Sequence, residues 1–184
     1  QLKGKFPEIL DDPQQGEEAR KLYADANAML DTIIREKWLQ ANAVLAFYPA
    51  NAVGDDIEVY ADEARTKTIA RFVNLRNQVK RTDNGPNLCL ADFIAPKESS
   101  RIDYIGAFAA TAGIGIEEKI KEFEQNHDDY NSILLKALAD RLAEAFTELL
   151  HVKVRKEYWG YAPDENLSLD DLILEKYQGI RPAH

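Results

Sequence analysis

Asp140, Glu144 and His151 stand at i, i+4 and i+11 in DYNSILLKALADRLAEAFTELLHV, a spacing that stacks two carboxylates and an imidazole on one face of an α-helix. Carboxylates four apart suit proton transfer or a cationic ligand, and nothing in the spacing selects between them. A metal centre is the weaker idea, because two carboxylates and one distant histidine are neither a complete nor a specific ligand set. A solvated polar face is the plainer reading, since the three lie roughly opposite the Leu134, Leu138, Leu142 and Leu149 stripe. His127 with Asp128 suits a helix cap better than a catalytic dyad. GIG at 113–115 lacks the third glycine and the acidic partner of a phosphate loop, and no Ser/His/Asp nucleophile signature occurs. Tyr158, Trp159 and Tyr161 offer a ligand-stacking wall or, more simply, packing at a helix end. Basic residues gather at Arg71, Arg76, Lys80 and Arg81 and again at Lys153, Arg155 and Lys156. These are the places where an acidic partner could dock, and ordinary surface charge explains them equally. The closing YQGIRPAH poses a sharper question. Tyr177 and Ile180 are apolar anchors, Gly179 permits an unusual backbone angle and Pro182 fixes φ, so Arg181 is held in place. It is either part of a helix-ending turn or a guanidinium with a task.

The chain that must position these groups has 184 residues, 45% of them apolar, enough for one sizeable core. A net charge of −9 argues against nucleic acid or an anionic membrane surface as the main partner. Cys89 is the single cysteine, which excludes a disulfide framework and a thiolate cluster. Between Leu88 and Leu90 it reads as a structural thiol in a strand near the core. No apolar run approaches the roughly 20 residues that span a bilayer, and no signal peptide is visible, so a soluble, cytoplasmic protein is expected. Gln1 is not a natural start and the chain stops abruptly at His184, which reads as a piece of something longer.

Apolar residues from Glu17 to about Gln40 recur at helical spacing, with Leu22, Ala26, Met29, Leu30 and Ile33 on one stripe. VLAFYPA (44–50), closed by Pro49, and IEVY (57–60) read as a hairpin around a turn at 51–55. Residues 66–81 are ambiguous between strand and helix, and the basic tail RNQVKR favours helix. LCLADFI (88–94) is expected as a buried strand, 96–100 as a loop and 103–113 as a strand. From about Ile116 to Val154 runs the strongest helical signal, with a break expected near 126–129. EYWGYAP (157–163) exits into a loop, and a last short helix follows, capped by Ser168 with Asp170 and Asp171 in its first turn. Strands followed by a long helical half predict an α+β fold: a twisted antiparallel sheet with long helices packed against it, in a single domain.

Six strings in order, FYPANAVGDDIEVY (47–60), CLADFIAPK (89–97), DYIGAFAATAG (103–113), HDDYNSILLKALADRLAEAFTELLH (127–151), EYWGYAPDENLS (157–168) and EKYQGIRPA (175–183), cover nearly the whole chain. Together they resemble the C-terminal reactivation domain of cobalamin-dependent methionine synthase. The resemblance implies a domain that binds S-adenosylmethionine. An electron from a flavodoxin-type or other flavoprotein donor and a methyl group from that ligand then restore methylcobalamin from cob(II)alamin. It implies that cobalamin is carried by another domain of the enzyme, whose cobalamin-binding module is a partner, and that no residue here need be a catalytic acid or base. Arg181 and Ala183 match an Arg-Pro-Ala-Pro-Gly-Tyr motif that holds S-adenosylmethionine; His184 stands where the family has proline. Glu144 and Glu175 match carboxylates near the ligand, and Asp140 matches one implicated in contacts to the cobalamin module. A guanidinium suits the ligand carboxylate, and carboxylates suit its ammonium and sulfonium. Relative to the family, residues 1–184 are expected to be truncated at both ends. The alternative is a stand-alone interaction module that keeps the fold and has lost the ligand.

Overall fold

The helical period of residues 17–40 becomes α1 (Gly16–Glu36), which buries Ala19, Met29 and Ile33 and leaves Leu22 exposed. The structure, a computed structural model, describes residues 2–82 and 85–180. These form two compact units, one from 1–43 with 110–153 and one from 44–109 with 154–184.

In the first unit α1 is joined by α2 (Ile116–Gln125) and α3 (Asp129–Lys153). Met29 and Ile33 of α1 share a core with Leu134 and Leu135 of α3, and Trp38 and Phe123 close its edge with rings 6.1 Å apart. The expected break between the two helices is present. His127 takes φ 55°, and Asp128 accepts the Asn131 N–H at 3.1 Å and its side-chain amide at 2.7 Å. That is capping chemistry, as the residue types indicated. The expected stripe on α3 holds only in part: Tyr130 and Leu149 are half exposed, whereas Leu135 and Leu150 are buried. A straight helix drifts against a strict four-residue step, so a long stripe rotates off the core.

One four-stranded sheet has the order β3-β2-β1-β4, built from β1 (Gln40–Val53), β2 (Asp56–Tyr60), β3 (Thr68–Phe72) and β4 (Asp103–Ile114). The α+β class is as expected. β1 and β2 make the expected antiparallel hairpin, with Gly54 at φ 61° in a two-residue turn. Pro49 does not close β1. Its pairing with β2 begins at Ala50 opposite Val59, so the missing proline N–H falls outside that ladder. In the second unit Ala50, Ala52, Ile57, Cys89 and Ala91 form the core.

Two expectations are corrected here. Residues 68–72 form edge strand β3, antiparallel to β2, in place of a helix over the basic tail. Arg71 in the strand and Arg76 beyond it are drawn sideways into ion pairs, to Asp56 at 2.8 Å and to Asp55 at 2.7 Å. The segment 88–94 is no strand: Leu90–Phe93 is a 3₁₀ turn, because the Asp92 carboxylate accepts the Cys89 N–H at 2.8 Å and curls the chain. Cys89 itself is buried as expected, its thiol 3.3 Å from the Asp55 carbonyl oxygen. The last helix, α4 (Leu169–Ile173), starts at Ser168, whose Oγ accepts the Asp171 N–H at 3.1 Å.

Candidate functional site

Beyond α3 the backbone widens into a π-helical turn over Val154–Tyr158, with the Trp159 N–H reaching the Val154 carbonyl at 2.9 Å. Such single π turns reset which way side chains face. Here the turn places Arg155 inside, 1% exposed. Its Nε lies 2.9 Å from Glu165 Oε2 and its Nη2 lies 2.7 Å from Oε1, a two-pronged fork on a nearly buried carboxylate. The guanidinium also covers the buried ring of Tyr177, 4.1 Å from its centroid. Lys156 Nζ donates to the Glu165 carbonyl at 2.7 Å. The basic triplet expected as a docking patch is therefore an internal brace at two of its three members.

The same turn holds the stretch leading to Arg181. Tyr161 donates its hydroxyl to the Gln178 carbonyl at 2.7 Å and accepts the Ile180 N–H at 3.1 Å. Gly179 between them adopts φ 87°, and a Cβ there would lie 2.7 Å from the Tyr161 ring. Of the aromatic tract, Trp159 packs edge-on against Phe47 and Tyr104, centroids 5.1 and 5.2 Å away, which favours its packing role. Tyr104 is hydrogen-bonded to Glu63, which raises its phenol above the usual range.

The expected carboxylates are all exposed. Asp140 and Glu144 share a face of α3 one turn apart, and Glu144 pairs with Arg141 at 2.8 Å. His151 does not join them on a solvated face, since its Nε2 is buried. Glu175, in the second unit, sits just past α4 at φ 51°, its N–H donating to the Leu172 carbonyl at 2.9 Å. Arg181 and Ala183 lie outside the described residues. Arg76 is no free docking cation either: it is clamped between Asp55 and Asp92, both at 2.7 Å, while Lys80 is exposed. Among the described residues no group of three or more His, Cys, Asp or Glu could hold a metal ion, and no helix is long and apolar enough to cross a membrane.

Glu165 was not singled out by sequence reasoning, and Tyr161 was read only as one aromatic of the Tyr158, Trp159 and Tyr161 tract. The one signal that pointed their way was the density of aromatic and charged residues in EYWGYAPDEN, a tract too rich for an ordinary loop.

The family described as vitamin B12 dependent methionine synthase, activation domain, matches residues 1–184. The chain belongs to that family. The crystal structure of the MetH reactivation domain bound to AdoHcy is similar at 57% sequence identity, over 99% of this chain and 56% of that chain, with a TM-score of 0.89. The chain thus spans a little over half the length of that solved relative. For an activation domain of methionine synthase, Tyr161 and Glu165 of the braced turn and the 177–180 stretch it grips lie in the strings EYWGYAPDENLS and EKYQGIRPA that carried the resemblance, while Arg155 and Lys156 lie just before the first of them.

Proposed function

We infer that this chain binds S-adenosylmethionine and serves the reductive remethylation of cob(II)alamin within a cobalamin-dependent methionine synthase, the whole enzyme methylating homocysteine to methionine. The supporting observation is the 57% identity, over 99% of this chain, to a reactivation domain crystallised with AdoHcy. AdoHcy is S-adenosylmethionine without its transferred methyl group, so a site for one suits the other.

On this reading Arg181 grips the ligand carboxylate and Ala183 contributes backbone, while Glu144 and Glu175 complement the ammonium and sulfonium. Asp140 faces the cobalamin module. The chemistry is the cofactor's, carried by another domain; this chain binds and orients, and a flavodoxin-type donor supplies the electron. The exposed placement of Glu144 and Glu175 supports such a role, because a carboxylate at the surface is open to an incoming cation. The Arg141 pair competes little, being exposed on both sides and worth at most about 1 kcal/mol.

Isothermal titration of the full chain with S-adenosylmethionine and, separately, with S-adenosylhomocysteine tests the reading. Saturable binding of both, one molecule per chain, is expected. Absence of heat together with an unshifted melting temperature overturns it.

A further inference from the structure

Three contacts converge on the four residues that precede Arg181. Tyr177 is buried beneath the Arg155 guanidinium, which is itself fixed by its fork on Glu165. The Gln178 carbonyl and the Ile180 N–H, two residues apart, both end on the single hydroxyl of Tyr161. Gly179 between them has the positive φ, 87°, that lets this short arch close over one oxygen, and no room for a side chain against the ring. A tyrosine hydroxyl has one proton to give, and it satisfies both backbone groups of the arch at once. A stretch that only had to follow a helix needs neither a buried guanidinium nor a hydroxyl serving two backbone groups.

We propose that Tyr161 is a positioning residue for the ligand carboxylate: through its hydroxyl it sets the backbone from Tyr177 to Ile180, the stretch that leads into Arg181. The Arg155–Glu165 fork is the rigid base on which Tyr177 and this arch rest. The proposal rests on the reading of Arg181 as the carboxylate-binding group and adds to it a residue that touches no ligand. Geometry gives the reason such a device is needed. A bidentate pair requires a guanidinium aimed to within a fraction of an ångström, and an arginine following an unbraced segment would lose that alignment to chain entropy.

The test compares Tyr161→Phe with the parent in the full chain, using S-adenosylhomocysteine and 5′-methylthioadenosine, which lacks the amino-acid carboxylate. Phenylalanine keeps the ring and removes only the hydroxyl. Affinity for S-adenosylhomocysteine should fall about tenfold, the loss expected from a misaligned charge-assisted bond. Affinity for 5′-methylthioadenosine and the melting temperature without ligand should hardly change. Gly179→Ala, which disturbs the arch from its other side, should reproduce the split between the two ligands at a cost in melting temperature, and the two changes together should lose less affinity than the sum of their separate effects. Equal losses for both ligands, or none for either, overturn the positioning role while leaving the proposed function intact. A parent chain that binds neither ligand overturns both.

Discussion

Arg76 and Asp92 meet through two parallel hydrogen bonds, Nη1 to Oδ2 at 2.7 Å and Nη2 to Oδ1 at 2.8 Å. Sixteen residues apart in sequence, they tie the segment after β3 to the 3₁₀ turn at Leu90–Phe93, with Asp55 of the hairpin turn as third member. The same Asp92 carboxylate accepts the Cys89 N–H. Arg76 first, and that amide second, hold the Asp92 carboxyl at about 2, well below its usual 3.8.

An acid-stability prediction follows from that depression. The unfolded chain takes up a proton on Asp92 near pH 3.8, the folded one only near pH 2. The contribution is therefore complete above the usual carboxylate value and is lost as pH falls through about 2. Asp92→Asn should lower the melting temperature at neutral pH, and its deficit relative to the parent should shrink across this acid window. Melting curves between neutral pH and pH 2 measure it; a deficit independent of pH would mean that the amide lost packing and not the charge.

Breaking the brace at Arg155 should cost far more. With Arg155 at 1% and Glu165 at 10% side-chain exposure, Arg155→Met leaves a carboxylate buried without its fork. About 3 to 5 kcal/mol of stability should go, the usual penalty for removing one partner of a buried pair. The double change Arg155→Met with Glu165→Leu should recover much of it, since no unpaired charge remains. Urea unfolding of the single and double variants decides this. A single-variant loss under about 1 kcal/mol would give the pair the weight of an exposed one.

These two pairs mark where the sequence stopped being legible. The helices of both units announced themselves because periodicity and caps are local: Asp128 to Asn131 and Ser168 to Asp171 are three residues apart. The hairpin was equally readable from the apolar run VLAFYPA, the alternation of IEVY and the turn expected between them. By contrast 88–94 was misread as a strand. Its alternating burial, Leu88 out, Cys89 in, Leu90 out and Ala91 in, mimics a strand, and the deciding bond is a carboxylate curling back on an amide. The arginines at 71, 76 and 155 looked like surface charge because their partners are 15, 16 and 10 residues away. Among the candidate site residues, the carboxylates at 140, 144 and 175 are assigned by resemblance alone; the spacing of the two on α3 left several chemistries open. Tyr161 was visible only as an aromatic, since its work is done by a hydroxyl on backbone.

Lys80 is exposed and remains available to an acidic partner after Arg76 is assigned to its clamp. On a chain of net charge −9, a local cation is what would let a flavodoxin-type donor approach. Lys80→Glu should slow association several-fold at low salt, with the difference closing as salt is raised. Stopped-flow mixing over a range of ionic strength measures it. Unchanged rates at every salt concentration would remove Lys80 from the docking face.

Arg181→Ala should damage ligand binding far more than folding. Its neighbours up to Ile180 are held by Tyr161 and by the buried Tyr177, and those contacts survive the substitution. What disappears is a charge-assisted pair with the ligand carboxylate, on the order of 2 kcal/mol, or about thirtyfold in affinity for S-adenosylhomocysteine. Arg181→Lys should restore only part of it, because an ammonium cannot make two parallel bonds to one carboxylate. Binding of 5′-methylthioadenosine should be nearly unaffected in both variants, which separates loss of the carboxylate contact from loss of the site. The melting temperature without ligand is the control for folding. A large fall in that temperature with ligand affinity intact would make Arg181 a structural residue, and YQGIRPAH no more than the end of a helix.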